Sequence, residues 1–420
     1  MGHRTERGRV RARITRPLTV LATVVIAIVV ALPVASGVSV RPIRPEGMST
    51  APTRLSLADL ALHVVGDSLV NSSGSVVRLL GVDASGTESA CIQDDGFSWG
   101  PFDTAEAQSI AAWQANAVRV PLNEDCWLGI NGAPSTYSGA AYQEAIEKWV
   151  AELNAAGLIA ILDLQWSAPG QIAASQEWPM ADADHSITFW KQVATAFKAR
   201  PLVVFDLFNE PSLGRNDPSP SDWTCWLNGC RSTTPYCPAN GTSGCSSVTY
   251  EVAGMQQLVD AVRSAGANQP LMIGGLDWSG APCKSVPADG SCAWLTFEPA
   301  DPLHQLVVSF HNYYDHTHCD TLTCWNATIA PLAKEAPVVT GELGEKNCSA
   351  TFVDQYTQWA DLHGVSYLAW TWQPDTLATS CGTANVRLLS NWSGAPSTVN
   401  PVAPFFRTHL VQEEALNGSV

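Results

Sequence analysis

Eight apolar runs of strand length, separated by segments of helical periodicity, limit what this chain can fold into. They are VVRLLGV (76–82), AVRVPL (117–122), LIAILDL (158–164), PLVVFDLF (201–208), PLMIGGL (270–276), QLVVSF (305–310), APVVTGEL (336–343) and VSYLAWTW (365–372). Continuous rather than alternating hydrophobicity marks strands covered on both faces, as in a parallel sheet. Helices are expected near 104–115, 140–157, 186–200 and 248–265. In the second, Ala145, Trp149, Leu153 and Ala156 share a face, and Gly157 stands where a C-terminal cap belongs. Eight strand-helix repeats imply an α/β fold of the (β/α)8 TIM-barrel type. A doubly wound open sheet is the rival, but no GxGxxG turn follows the first strand. HVVGDSLVNSSGSVVRLL, ahead of the barrel, reads as an N-terminal hairpin closing its bottom. The helix after the fifth strand is poorly marked. Gly-, Ser- and Pro-rich stretches, above all 212–247, read as long loops on the top face.

The first 16 residues hold six arginines and one glutamate, and the apolar stretch PLTVLATVVIAIVVALPVASG follows from Pro17 to Gly37. That is the pattern of a secretion signal over 1–37, with a membrane anchor as the alternative if it stays uncleaved. A flexible segment over 38–58, a catalytic domain over 59–412 and a tail over 413–420 are expected, and the protein is expected to be extracellular. Without residues 1–16 the chain keeps 17 basic against 38 acidic side chains, a net charge near −21. Such a surface repels phosphate backbones and argues against nucleic acid as a partner.

Twelve cysteines suit an oxidising compartment. Close spacing suggests disulfides Cys225–Cys230, Cys237–Cys245, Cys283–Cys292 and Cys319–Cys324, with Cys91–Cys126 and Cys348–Cys381 completing the set. The stretch HNYYDHTHCD also gathers His311, His316, His318 and Cys319, so zinc is the alternative there. No CxxC pair accompanies them, and the spacing to Cys324 favours a disulfide over a metal.

Polar residues break the apolar runs near their ends, where side chains of a barrel converge on one mouth. Arg119 lies inside the second strand, Asn209 and Glu210 end the fourth, His311 and Tyr313 end the sixth, Glu342 ends the seventh and Trp370 lies in the eighth. Two carboxylates facing one opening suit glycoside hydrolysis, which needs a general acid and a nucleophile or base.

LFNEPS, HNYY, VVTGELGE and AWTW, preceded by LLGVDASG, VRVPLNEDCWLG and ILDLQWSAPG, resemble the family 5 glycoside hydrolases of the cellulase type over nearly all of 60–375. The resemblance implies a retaining β-glycosidase, most simply an endo-β-1,4-glucanase, with Glu210 as acid/base and Glu342 as nucleophile. β-Mannanase, exo-β-glucanase and glycolipid-directed activity are the alternatives within the family. The resemblance further implies that Asn209 bonds the sugar 2-hydroxyl, that Arg119 and Tyr313 orient Glu342, that His311 contacts sugar or Glu210, and that Trp370 floors the reacting subsite. No cofactor or metal is implied, and a monomer acting on a β-linked polysaccharide or oligosaccharide is expected. Gln165 stands where the family usually has a histidine, and Asp83 where asparagine is common; a glutamine still hydrogen-bonds but carries no proton charge.

Trp99, Trp127, Trp166, Trp223, Trp278, Trp294 and Trp325 fall at or beyond strand ends and are expected to ring the mouth, where flat aromatic faces cover pyranose rings. Trp166 and Trp278, with Gln165, are the candidate sugar contacts. A barrel that binds glycans without cleaving them is the rival of a different class, and an esterase would need a GxSxG turn that is absent.

Overall fold

Of the eight apolar runs, every one supplies a stave of a closed barrel. The computed structural model describes residues 61–237, 245–284, 291–314, 318–376, 378, 380–381 and 386–417, with 415–417 described by backbone alone. The segments expected as a secretion signal (1–37) and a flexible stretch (38–58) lie outside these residues, as does His316. Among the described residues, no helix is long and apolar enough to cross a membrane.

β1 (His63–Val65) and β2 (Ser68–Val70) pair antiparallel as the expected hairpin. There follow β3 (Leu80–Asp83), β4 (Ala117–Asn123), β5 (Ile159–Trp166), β6 (Val203–Asp206), β7 (Arg231–Tyr236) and β8 (Ser246–Glu251). β9 (Leu271–Gly274), β10 (Leu306–Tyr313), β11 (Val338–Gly344) and β12 (Ser366–Ala369) complete the set. The barrel runs β3-β4-β5-β6-β9-β10-β11-β12 and closes on β3, all parallel. β7 and β8 form a separate antiparallel hairpin.

The barrel interior changes character from bottom to top. Leu79, Ala117, Ile159, Ile161, Val204, Met272, Val307, Val339 and Leu368 form its apolar floor, and Leu62 and Leu69 of the hairpin segment pack beneath them. Two residues further along a strand the side chain points the same way. That period takes the inward row from Ala117 to Arg119, from Ile161 to Asp163 and Gln165, and from Val204 to Asp206. The charged layer therefore sits directly above the apolar one. The outer faces pack against the helices in a second, larger core.

Thr104–Ala111 is capped by Asp103, whose carboxylate accepts from the N–H groups of Ala105 and Glu106. Ala140–Ala155 buries Tyr142, Ile146, Trp149, Val150 and Leu153, so of the four residues expected on one face Trp149 and Leu153 are buried and Ala145 and Ala156 lie at its edge. Two segments differ from the sequence expectation. The first turn of the helix expected over 248–265 is extended instead: Ser246–Glu251 pairs with Arg231–Tyr236, because Val248, Thr249 and Tyr250 favour the extended ladder and Cys237–Cys245 joins the ends; the helix is confined to Met255–Ser264. Within the stretch read as loop, Pro220–Asn228 is helical, started by a Ser219/Asp222 capping box with Pro220 in the first turn. After β9 the helix is only Ala293–Thr296, which is why periodicity marks it poorly. The last helix, Val402–Asn417, covers most of the stretch read as a tail. All six expected disulfides are present.

Burial pushes the carboxyls of Glu88 and Glu106 up to about 7. Groups raised in the folded state stabilise it fully below their unfolded value near 4.3, and that contribution is lost as pH rises through 7. Each is worth about 3 kcal/mol across that window. The melting temperature is expected to fall between pH 5 and pH 8, and calorimetry of Glu106→Gln should show a flatter profile; an equally steep one would refute the assignment to Glu106.

Candidate active site

At the C-terminal ends of the strands lies a cavity of about 340 Å³, lined among others by Gln165, Glu177, Glu210, Trp278, His311, Tyr313, Glu342 and Trp370. The local sequence explains how the two catalytic candidates reach it. β6 stops at Asp206, four residues earlier than Glu210, so Asn209 and Glu210 lie past the strand rather than at its end. The Asn209 N–H still donates to the Leu164 carbonyl at 3.0 Å, and Glu210 then turns with φ 49°, a left-handed backbone rare outside glycine. Such a conformation re-aims the side chain out of the wall and into the opening.

Glu342 is placed differently. Register shifts between Phe310 and His311 in β10 and between Thr340 and Leu343 in β11 set His311 opposite Glu342, the sort of irregularity that redirects side chains at barrel rims. The glycines of VVTGELGE serve this packing. A Cβ at Gly341 would come within 3.0 Å of His311 Nε2, and one at Gly344 within 2.5 Å of Tyr313 Cε1.

Glu342 Oε1 accepts from Arg119 Nη1 at 2.9 Å and Oε2 from the Tyr313 hydroxyl at 2.7 Å. Burial, and then the charge of Glu342, push the Tyr313 phenol well above its usual range, so it stays a donor. His311 Nδ1 lies 3.1 Å from Glu210 Oε1 and 3.8 Å from Glu342 Oε2. Burial holds this imidazole below its ordinary value, and hence neutral at pH 7. One ligand-type atom from each of Glu210, His311 and Glu342 lies within 4.8 Å of the other two.

Arg119 is wholly buried and surrounded by acids. Besides Glu342 it meets Asp206 at 3.0 Å, Asp163 at 3.0 Å and Asp83 at 3.3 Å. Its Nη2 also donates to Asn209 Oδ1 at 2.9 Å and its Nη1 to Gln165 Oε1 at 3.3 Å. One cation cannot neutralise four buried carboxylates. Desolvation accordingly raises Asp83 and Asp163 well above the usual carboxylate range, although Arg119 opposes it. Asp163 and Asp206 were not singled out from sequence, and the inward period of their strands is the signal that would have found them. Glu177 was missed as well. It sits exposed in an irregular loop at the rim of the cavity, where the charges of Glu210 and Glu342 act on its carboxylate.

The tryptophans divide. Trp278 and Trp370 line the cavity and Trp99 is exposed, while Trp166 is half-buried without lining it. Trp127, Trp223, Trp294 and Trp325, expected at the mouth, are at most 1% exposed and belong to the core. Their indoles fill space between helices and loops, as in the edge-on pair Trp223 and Trp226. Trp370 follows β12 instead of lying within it.

Cys319 is bonded to Cys324, which removes its thiolate from the cluster considered for zinc, and His318 Nε2 faces Asp277 at 3.7 Å. Among the described residues, the other groupings of metal-ligand type are Glu124, Asp182 and His185, and Asp361, His409 and Glu413. Both are already knitted internally, the first through Ser186 and the second through Arg78.

The sequence model of the family Cellulase (glycosyl hydrolase family 5) matches residues 70–376. The chain belongs to glycosyl hydrolase family 5. The match spans every strand of the family 5 barrel from β3 to β12 and includes Arg119, Gln165, Asn209, Glu210, His311, Tyr313 and Glu342. Two curated relatives are similar to this family 5 chain. Endoglucanase MaCel5A of Microbulbifer sp. is 26% identical over 36% of the chain and 26% of its own length. The manganese dependent endoglucanase Eg5A of Phanerodontia chrysosporium is 23% identical over 60% of the chain and 58% of its own length. The chain thus spans about a quarter and about three fifths of these relatives. Among solved structures, the beta-glucanase SdGluc5_26A of Saccharophagus degradans, in complex with cellotetraose, shares the fold with a TM-score of 0.58 at 16% identity, over 86% of this chain and 97% of that one.

Proposed function

We propose that this chain is a secreted retaining glycosidase that cleaves β-1,4-linked glucans by double displacement. The observation that carries the reading is the approach of Glu210 and Glu342, with oxygens within 4.8 Å, at the mouth of a family 5 barrel. Carboxyl groups about 5–5.5 Å apart leave no room for an intervening water and serve as acid/base and nucleophile, whereas inverting pairs stand about 6.5–9.5 Å apart.

Glu342 is the nucleophile. Both of its oxygens are held by donors, which fixes the carboxylate for attack on the anomeric carbon and stabilises its charge. Glu210 is the acid/base. It protonates the departing glycosidic oxygen, then deprotonates the water that hydrolyses the glycosyl-enzyme. His311 Nδ1, 3.1 Å from Glu210 Oε1, holds that carboxyl in place beside Glu342. Arg119 fixes Asn209 Oδ1, and Asn209 Nδ2 is buried with no hydrogen-bond partner among the described residues, a donor suited to the sugar 2-hydroxyl. Gln165 is turned likewise: facing Arg119 it presents its oxygen, which leaves its amide N–H₂ for the substrate. Trp370 and Trp278 offer apolar faces to the pyranose rings.

The glucan assignment draws on the endoglucanase names of the relatives and the cellotetraose in the similar structure. An uncharged substrate also suits a cleft holding three carboxylates. Time-resolved proton NMR of cellotetraose hydrolysis is expected to show the β-anomer first. The α-anomer first would overturn the retaining mechanism, and binding without turnover would assign the chain to glycan binding. Mannan or xyloglucan cleaved faster than β-glucan would reassign the substrate.

A further inference from the structure

Three successive residues after β9, Asp277, Trp278 and Ser279, have φ of 63°, 56° and 56°. None is glycine, and each such residue costs roughly 1–2 kcal/mol. A turn of this kind persists only where its surroundings over-determine it. Here the surroundings are the acid/base and its neighbour. The Trp278 N–H donates to the carbonyl of Pro211, the residue after Glu210, at 3.0 Å, and the Ser279 carbonyl accepts from the His311 N–H at 3.0 Å. The turn thus ties together the backbones of the two segments whose side chains meet at 3.1 Å.

Asp277 holds this turn from beneath. Its side chain is almost wholly buried, with Oδ2 2.9 Å from Lys284 Nζ and Oδ1 3.7 Å from His318 Nε2. Lys284 also donates to the Asn216 carbonyl, on the loop that carries Glu210 onward. The His318 ring packs edge-on against Trp278, with centroids 6.0 Å apart. Glu210, itself left-handed at φ 49°, gains its fixed direction from these neighbours.

We propose that Asp277 is a positioning residue for Glu210, which through the 277–279 turn fixes the Pro211 and His311 backbones and keeps the Glu210 carboxyl aimed at the departing oxygen. The inference rests on the glycosidase reading above. It is tested with two substrates that differ in their need for an acid: cellotetraose, whose sugar leaving group must be protonated, and 2,4-dinitrophenyl β-cellobioside, whose phenolate departs unaided. Asp277→Ala is expected to lower kcat/KM on cellotetraose about 10- to 100-fold and on the dinitrophenyl glycoside less than about threefold, since a displaced acid costs only where a proton is needed. Asp277→Asn, which keeps an acceptor for Lys284, should recover part of the loss. If Asp277→Ala does not fold, Lys284→Met is expected to give the same leaving-group pattern in weaker form. Equal losses on both substrates in the soluble variants, or no loss, overturn the inference while the unsubstituted chain still turns over both. Turnover of neither by the unsubstituted chain overturns the glycosidase reading and this inference with it.

Discussion

Glu342→Gln is expected to lower kcat on cello-oligosaccharides on the order of 10⁴-fold or more, the scale of losing a nucleophile. The amide has no lone pair of comparable basicity and no charge to set against the developing oxocarbenium ion. It is also mismatched to its site. Arg119 and Tyr313 each aim a donor at one of the two oxygens, so one of them must face the amide N–H₂. Glu210→Gln removes the proton donor instead, and a loss of about 10²- to 10⁴-fold is expected on cellotetraose. That loss should shrink sharply on a dinitrophenyl leaving group in the first step, whereas Glu342→Gln should be equally inactive on both. Steady-state kinetics of the two variants on the two substrates separates the roles. Turnover by Glu342→Gln within tenfold of the parent would end its assignment as nucleophile.

Arg119→Met should cost more in stability than any other single change at the site. Breaking a buried ion pair from one side typically costs about 3–5 kcal/mol, because the partner charge is left uncompensated. Here four carboxylates would be left within one layer of the barrel. The sign of the pH dependence follows from their environment. Asp83 and Asp163 are raised in the folded state by desolvation, so they favour folding most when protonated and disfavour it increasingly as pH rises. Arg119 limits that penalty in the parent protein. The deficit in melting temperature of Arg119→Met relative to the parent should therefore be large at pH 7 and smaller at pH 5. A deficit that does not vary with pH would mean that lost packing, not lost charge compensation, accounts for it.

Arg119 also shows where sequence reasoning stops. Its position inside an apolar strand is visible, and so is its support of Glu342 from the family resemblance. The three aspartates around it are just as visible as letters, but their convergence depends on the closing of β3, β4, β5 and β6 side by side. Gln165 makes the same point: the substitution is legible, while the fixed direction of its amide comes from Arg119. The tryptophans mark the sharpest difference. Trp278 and Trp223 both follow a strand end by a loop, and nothing in local spacing separates the one that lines the cavity from the one that fills the core.

Sequence alone determined the number of staves, the (β/α)8 class, the four closely spaced cysteine pairs and the two glutamates at the mouth. Each of these follows from local period, short spacing or a motif held within a few residues. Only the tertiary structure decided that the two carboxyls approach within 4.8 Å, that one arginine serves four acids, and which aromatic faces remain open to a sugar. These are distances between segments far apart in the chain. They are set by barrel closure, by two register shifts in β10 and β11 and by a left-handed turn at Glu210, none of which leaves a periodic trace in the letters.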